Sequence, residues 1–155
     1  MAQVARVFVR ETRLRRPCVN ISLIDSRSKK GSIGAPKAEH KSPTSPAATA
    51  TLRCHTTQDK ALKLLNEWAG QPLPLSASCW IGNDGGDGEL TIRLAGAVAA
   101  VKSATPLMSA QVNAQIVSPD EAEDFWNRLR EQNLSPFTSL GADQTLYRLA
   151  LPAAC

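Results

Sequence analysis

The spacing of apolar residues changes from helical to strand-like between Ala50 and Gly96, and this change constrains the fold most. After the β-type segment ATLRCH, apolar residues recur at helical spacing at Ala61, Leu64, Leu65 and Trp68. Thr56 or Thr57 can cap this helix, and Gly70 can close it. Two strand-like runs then flank the turn sequence NDGGDG, and the second run, ELTIRLAG, alternates apolar and polar residues. These residues predict a strand, a helix and a β-hairpin.

The residues after the hairpin predict further helices and a last strand. Residues 97–104 favour a helix that Pro106 ends or kinks, because proline removes an intrahelical donor. A short strand, NAQIVS, precedes the clearest helix, SPDEAEDFWNRLREQN, which Ser118 caps and Pro119 opens. The predicted buried face of that helix consists of Ala122, Phe125, Trp126 and Leu129. A loop, LSPFTSLGADQ, leads to the final strand TLYRLALP.

This order of elements, β-α-β-β-α-(β)-α-β, predicts an α+β fold. It is close to the ferredoxin-like pattern, in which helices cover one face of an antiparallel sheet. We therefore expect the apolar face of the first helix to share one side of the sheet with Phe125, Trp126 and Leu129. The domain is predicted to span residues 50–152.

Residues 1–49 differ from the rest in composition and charge. They carry ten basic and three acidic residues, for a net charge of +7, whereas the remainder carries −3. Residues 26–49 are rich in Ser, Pro and Lys without an apolar period, which predicts disorder. Val7 and Val9 alternate with Phe8, which leaves a weak strand or a frayed helix open. The prediction is a disordered basic arm, or a foreign leader, before the domain.

The basic arm allows three functional interpretations: a nucleic-acid contact, an organelle transit peptide, or a solvated tail. Phe8 is the only aromatic residue before Trp68, so the arm lacks the stacking side chains of single-strand binders. A solvated tail is therefore favoured, and nucleic acid is disfavoured as a partner.

Composition also bears on location and on metals. No run approaches the roughly 18 apolar residues that a membrane helix needs, and no secretory signal is apparent. The four cysteines form no CxxC pair, which argues against a zinc site and favours reduced thiols. We expect a cytoplasmic protein without a membrane span or a metal.

Few residues point to chemistry. The run NDGGDGE faintly resembles a calcium loop, but the EF-hand spacing is absent and a hairpin turn is favoured. No glycine-rich phosphate loop opens a helix. Arg93 and Arg148 each lie inside an apolar strand. Each fits an outward-facing arginine on a wet sheet face, the favoured interpretation, or a guanidinium that binds a small organic acid.

Five short motifs occur in an order that resembles the FAD-binding subunit of bacterial glycolate oxidase. They cover about residues 50–152 and are Glu67-Trp68, Gln71-Pro72-Leu73-Pro74, Arg93-Leu94-Ala95-Gly96, Phe125-Trp126 with Leu129-Arg130-Glu131-Gln132, and Leu146-Tyr147-Arg148-Leu149. The resemblance covers the middle, or substrate-cap, region of that family. It implies an FAD cofactor in the full-length family and other oxidase subunits as partners.

The resemblance also implies what this chain lacks. The family's flavin-binding segments should precede residue 50, where the basic arm stands, and no flavin-binding or catalytic residue can be carried over. We therefore expect a fragment, or a reading frame joined to foreign sequence, that neither binds FAD nor acts alone. Arg148 is the only candidate for a substrate carboxylate. The alternative is a free-standing α+β binding module whose basic arm binds nucleic acid or an acidic partner.

Overall fold

The computed structural model describes the backbone of residues 6–11, 18–25, 46–82, 85–139 and 145–152, and the side chains of 46–82 and 85–139. The elements in chain order are β1 (Arg6–Glu11), β2 (Cys18–Asp25), β3 (Ala48–Thr57), α1 (Gln58–Ala69), β4 (Leu75–Gly82), β5 (Asp87–Gly96), α2 (Val98–Val112), β6 (Gln115–Val117), α3 (Pro119–Arg130), α4 (Ser135–Thr138) and β7 (Thr145–Pro152).

The strands in the described residues form one antiparallel sheet in the order β6-β3-β5-β4-β1-β2-β7. Within it, β3-α1-β4 and β5-α2-β6 are two interleaved split βαβ units, which is the ferredoxin-like arrangement. The predicted α+β, ferredoxin-like fold is confirmed. Its fourth strand is the short β6, whereas the longer β7 lies at the opposite edge of the sheet.

Helices α1 and α2 cover one face of β3, β4 and β5. Thr57 caps α1 by accepting a hydrogen bond from the Lys60 backbone N–H, and Gly70 forms its C-cap, as the sequence predicts. The core on this face is apolar and almost fully buried. It contains Leu52, Cys54, Ala61, Leu64, Leu65, Trp68, Trp80, Leu90, Ile92, Leu94, Val101, Ala104, Met108 and Ala114.

Pro106 lies inside α2, which continues to Val112, so it does not end the helix; the other expected outcome, a kink at Pro106, stays a prediction. The carbonyl that loses its intrahelical donor belongs to Lys102, which is exposed and can bind solvent instead. Val101, Ala104 and Met108, on both sides of the proline, are buried in the core. Tertiary packing therefore compensates for the lost hydrogen bond.

Helix α3 packs on the opposite face of the sheet from α1 and α2. Ser118 caps it and Pro119 starts it, as the sequence predicts. Its Leu129 joins Cys79 of β4 and Leu134 in a separate small core, against which Phe125 and Trp126 are partly buried. The expectation that all helices share one face is therefore wrong. Helical periodicity identifies a buried side but not the sheet face that it meets.

Two strands lie within the residues for which a disordered arm is predicted. Strand β1 pairs with β4, and β2 joins β1 to β7, so the sheet extends beyond the ferredoxin-like unit. For residues 6–11 and 18–25 the arm prediction is therefore wrong, and of the weak strand and the frayed helix left open near Val7 the strand is present. Residues 12–17 and 26–45 lie outside the described residues. The domain boundary at residue 50 stays a prediction.

Candidate functional site

The two faces of the sheet differ because residues of β3 and β5 alternate: one face is apolar, and the other carries polar side chains beside the small core around Cys79. Leu52 and Cys54 of β3 face α1 and α2, whereas the intervening Thr51 and Arg53 face α3. On β5, the registered partners of those two residues are Arg93 and Thr91. We call this second side the α3 face. Its polar side chains make it the candidate functional surface of the described residues.

Arg53 of β3 links α3 to the sheet through two ion pairs, one with Glu89 of β5 and one with Glu121 of α3. Its Nε lies 3.2 Å from Glu89 Oε1 on β5, and its Nη1 lies 2.5 Å from Glu121 Oε1 on α3. Its guanidinium carbon lies 5.7 Å from the centroid of the Phe125 ring. The two carboxylates therefore balance the charge of Arg53, and the Phe125 ring packs against its guanidinium. Arg53 is thus unavailable to an anionic ligand.

Trp126 makes a second polar link between α3 and the sheet. Its indole Nε1 donates a hydrogen bond to Thr51 Oγ1 over 3.0 Å, and its ring meets Phe125 edge-on at a centroid distance of 5.1 Å. Thr51 is 4% exposed, so the bond is shielded from water. The sequence predicts Trp126 as a core anchor and assigns no role to Arg53. The alternation of Thr51 and Arg53 with Leu52 and Cys54 was the signal for both.

Arg93 occupies a different environment on the same face. Its registered neighbours across the sheet are Thr51 and Ala77. The side chain is half-buried, and within residues 46–82 and 85–139 it has no ion pair or hydrogen bond. A bulge at Ser76 adjoins it, and the Ser76 hydroxyl donates to the Arg93 carbonyl over 3.1 Å. Within residues 46–82 and 85–139 the Arg93 guanidinium thus has no carboxylate partner.

Arg148, the candidate for a substrate carboxylate, lies on β7, where its backbone pairs with Ser22 of β2. Its side chain lies outside the described residues, so its role stays a prediction. Strands β5 and β7 are four positions apart in the sheet, which corresponds to about 19 Å at the usual strand spacing. The backbones of Arg93 and Arg148 are therefore far apart in the sheet.

Within residues 46–82 and 85–139, the other residues considered from the sequence do not form a reactive group. Burial raises the pKa of the Cys54 and Cys79 thiols above the usual range, which disfavours the nucleophilic thiolate. His55 is exposed, with its Nε2 3.9 Å from Glu89 Oε2. In residues 46–82 and 85–139, no three His, Cys, Asp or Glu residues cluster with metal-site geometry. Asn83 and Asp84 of the hairpin turn lie outside the described residues.

Comparison with known proteins identifies one informative relative. No family model matches the chain, and no solved structure does. The glycolate oxidase subunit GlcE of Escherichia coli (strain K12) is 37% identical over 108 residues. The chain is similar to part of a glycolate oxidase subunit. The match covers 70% of this chain but only 26% of GlcE, so the chain spans about a quarter of its relative. The resemblance predicted from the motifs is confirmed.

None of the described helices has the length and apolar character needed to cross a membrane.

Proposed function

We propose that the chain corresponds to part of the substrate-cap domain of a flavin-dependent 2-hydroxy acid oxidase subunit. The 37% identity with GlcE over 108 residues carries this proposal. The name of GlcE supports glycolate as the substrate of the complete protein and other oxidase subunits as its partners.

The two-faced sheet supports a covering role. Helices α1 and α2 bury one face of the sheet, where Leu52 and Ile92 lie in the main core. That face is therefore not available to a ligand. On the α3 face, Arg93 has no carboxylate partner among the described residues, and a guanidinium is the group that a cover over an acidic substrate needs. Arg148 is proposed to contact the substrate carboxylate in the complete subunit.

The described residues do not fit an FAD site of their own. Helices α1 and α3 begin after Thr57 and Ser118, whose hydroxyls already accept hydrogen bonds from the backbone of their own helices. In residues 46–82 and 85–139 no glycine-rich segment opens a helix onto a pyrophosphate. We propose that the flavin is held outside this chain and that the chain alone oxidises no glycolate.

The test has two parts. The purified chain is mixed with FAD and assayed by absorption and by fluorescence quenching, with a known FAD protein as the positive control. We expect no flavin spectrum and no glycolate oxidation. A stoichiometric flavin spectrum would show that the chain holds its own cofactor and would overturn this part of the proposal.

The second part replaces the matching region of GlcE with the aligned residues of this chain. Glycolate oxidation by the complex that contains the chimera should persist, and Arg148→Leu in the chimera should raise KM. The matched control is Arg128→Leu, an exposed arginine of α3. A chimera that retains its flavin but loses all oxidation would favour the alternative, a free-standing binding module.

A further inference from the structure

The solvent side of α2 is apolar, unlike the solvent side of α1. Within residues 46–82 and 85–139, the large hydrophobic side chains that stay exposed belong to α2 and to β6, which follows it. They are Val98, Leu107 and Ile116, which are 58%, 70% and 57% exposed. Helix α2 carries a single charged residue, Lys102, whereas the exposed charged residues of α1 are Asp59, Lys60, Lys63 and Glu67. An exposed apolar surface of this kind usually marks an interaction site.

The exposed residues of α2 form one continuous side of the helix. They recur three and four positions apart, which places them together and opposite the buried Val101, Ala104 and Met108. We call them the α2 outer surface: Ala99, Ser103, Pro106, Leu107 and Ala110. The Ser103 hydroxyl donates to the Ala100 carbonyl over 3.1 Å within the helix, so it does not need a polar partner from outside. Leu107 is thus the one large side chain on an uncharged surface.

Ile116 extends this apolar surface to the edge of the sheet. Its registered partner on β3 is Leu52, which lies in the main core under α1 and α2. Directly opposed residues of an antiparallel pair share one face of the sheet, so Ile116 lies on the α2 side. Strand β6 is the edge strand, and no described strand lies beyond it. A partner that covers both Leu107 and Ile116 therefore needs a surface broader than one helix.

The size of α2 argues against a second copy of this chain as that partner. A helix of 15 residues is about 22 Å long and about 10 Å wide. Two copies that met through α2 alone would bury well under the roughly 800 Å² per partner of a stable complex. A larger protein can cover α2 and the sheet edge together.

We propose that the α2 outer surface and Ile116 bind another subunit of the oxidase, through an uncharged, apolar surface of that subunit. This inference rests on the proposed function, which assigns the α3 face to the substrate. Helix α2 lies on the opposite face of the sheet, so its outer surface points away from the substrate and from the part of the subunit that holds the flavin. GlcE is by its name one subunit of an oxidase, and the core of a subunit interface is depleted of charge, as this surface is.

The test places one negative charge at Leu107. Leu107→Glu is made in the GlcE chimera and mixed with the other subunits of the oxidase, and association is measured by analytical ultracentrifugation. A carboxylate buried without a partner is costly, so association should weaken at least about tenfold while the flavin content of the chimera stays the same. The matched control is Asn66→Glu, which adds the same charge to the exposed side of α1 and should associate as the unsubstituted chimera does.

The same substitution in the isolated chain separates folding from binding. Because Leu107 is 70% exposed, Leu107→Glu should leave the midpoint of urea denaturation unchanged. A lowered midpoint would assign Leu107 to the fold and overturn the inference. A dimer of the isolated chain that Leu107→Glu converts to a monomer would assign the surface to a second copy, and would also overturn it.

The remaining outcomes distinguish this inference from the proposed function. Equal association of the Leu107→Glu and Asn66→Glu chimeras would overturn the inference and leave the proposed function standing. Loss of flavin from the Leu107→Glu chimera would place the surface against the part of the subunit that holds the flavin, with the same consequence. An unsubstituted chimera that does not join the other subunits would count against the proposed function itself, and the inference would fall with it.

Discussion

At the scale of single residues, the chain's three tryptophans have different roles. Trp68 and Trp80 are each 1% exposed in the main core, where their indole N–H groups donate to Gln111 and to the Thr56 carbonyl. Trp126 is only partly buried, between α3 and the sheet. The sequence predicts all three as core anchors, because spacing alone does not tell a full burial from a partial one.

Trp68→Ala should therefore destabilise the fold more than Trp126→Ala does. We expect a loss of about 3–5 kcal/mol for Trp68→Ala, as for other fully buried aromatics. Trp126→Ala loses partial burial and one hydrogen bond, about 1–2 kcal/mol. Urea denaturation of both variants measures the difference. Equal losses would mean that α3 is as tightly packed as α1.

Arg53 should contribute more stability than an ordinary surface arginine. Arg53→Met removes two ion pairs and a cation–π contact and leaves Glu89 and Glu121 without their shared cation, so we expect a loss of about 1–2 kcal/mol. The matched control is Arg128→Met, which removes one exposed contact with Asp124 at 3.6 Å and should cost under about 0.5 kcal/mol. Thermal denaturation at low and high salt checks both, and indistinguishable variants would contradict the anchoring role.

At the scale of elements, the sequence predicts the helix ends and the hairpin, because residues close together in the chain determine them. Thr57, Gly70, Ser118 and Pro119 mark the ends of α1 and α3 where the sequence places them. The β4–β5 hairpin likewise follows from its turn residues and alternation. The three-residue β6 was predicted, but its place as the fourth ferredoxin-like strand depends on a distant pairing with β3. Pairing of β1 and β2 with the sheet, and the face chosen by α3, depend on equally distant contacts that no local pattern encodes.

In the candidate site, too, the sequence predicts some residues, whereas others depend on contacts between distant parts of the chain. The arginine pattern of β5 drew attention to Arg93 from the sequence. Its difference from Arg53 became visible only when strand register placed Glu89 and Glu121 beside one and small residues beside the other. Spacing in one strand cannot report which charges a folded sheet brings together.

The hairpin depends on two glycines beneath Trp80. A Cβ on either Gly82 or Gly88 would overlap the Trp80 indole, and these glycines face each other in the β4–β5 register. Gly88→Ala should therefore destabilise the fold by about 1–3 kcal/mol through overpacking. The control is Gly70→Ala at the end of α1, where a Cβ has space and the backbone is helical, and stability should change by under about 1 kcal/mol. Equal effects in denaturation curves would contradict the close approach.

At the scale of the whole molecule, one sheet joins the N-terminal strands to the ferredoxin-like unit. The composition of residues 26–45 predicts early trypsin cleavage at Lys29, Lys30 or Lys37. Because β1 pairs with β4, the N-terminal piece should stay bound to the rest after cleavage, and the nicked protein should elute intact from gel filtration. Release of that piece would instead support the separate basic arm of residues 1–49 that the sequence predicts.

The most direct test of the proposed function is a crystal structure of E. coli GlcE determined in the presence of FAD and glycolate. We predict that the region matching this chain forms the β6-β3-β5-β4 sheet, with the equivalents of α1 and α2 on one face. We also predict that this region covers the substrate while the flavin pyrophosphate is held elsewhere in the subunit. A structure in which the matching region binds the pyrophosphate, or lies away from the flavin, would contradict the proposed function.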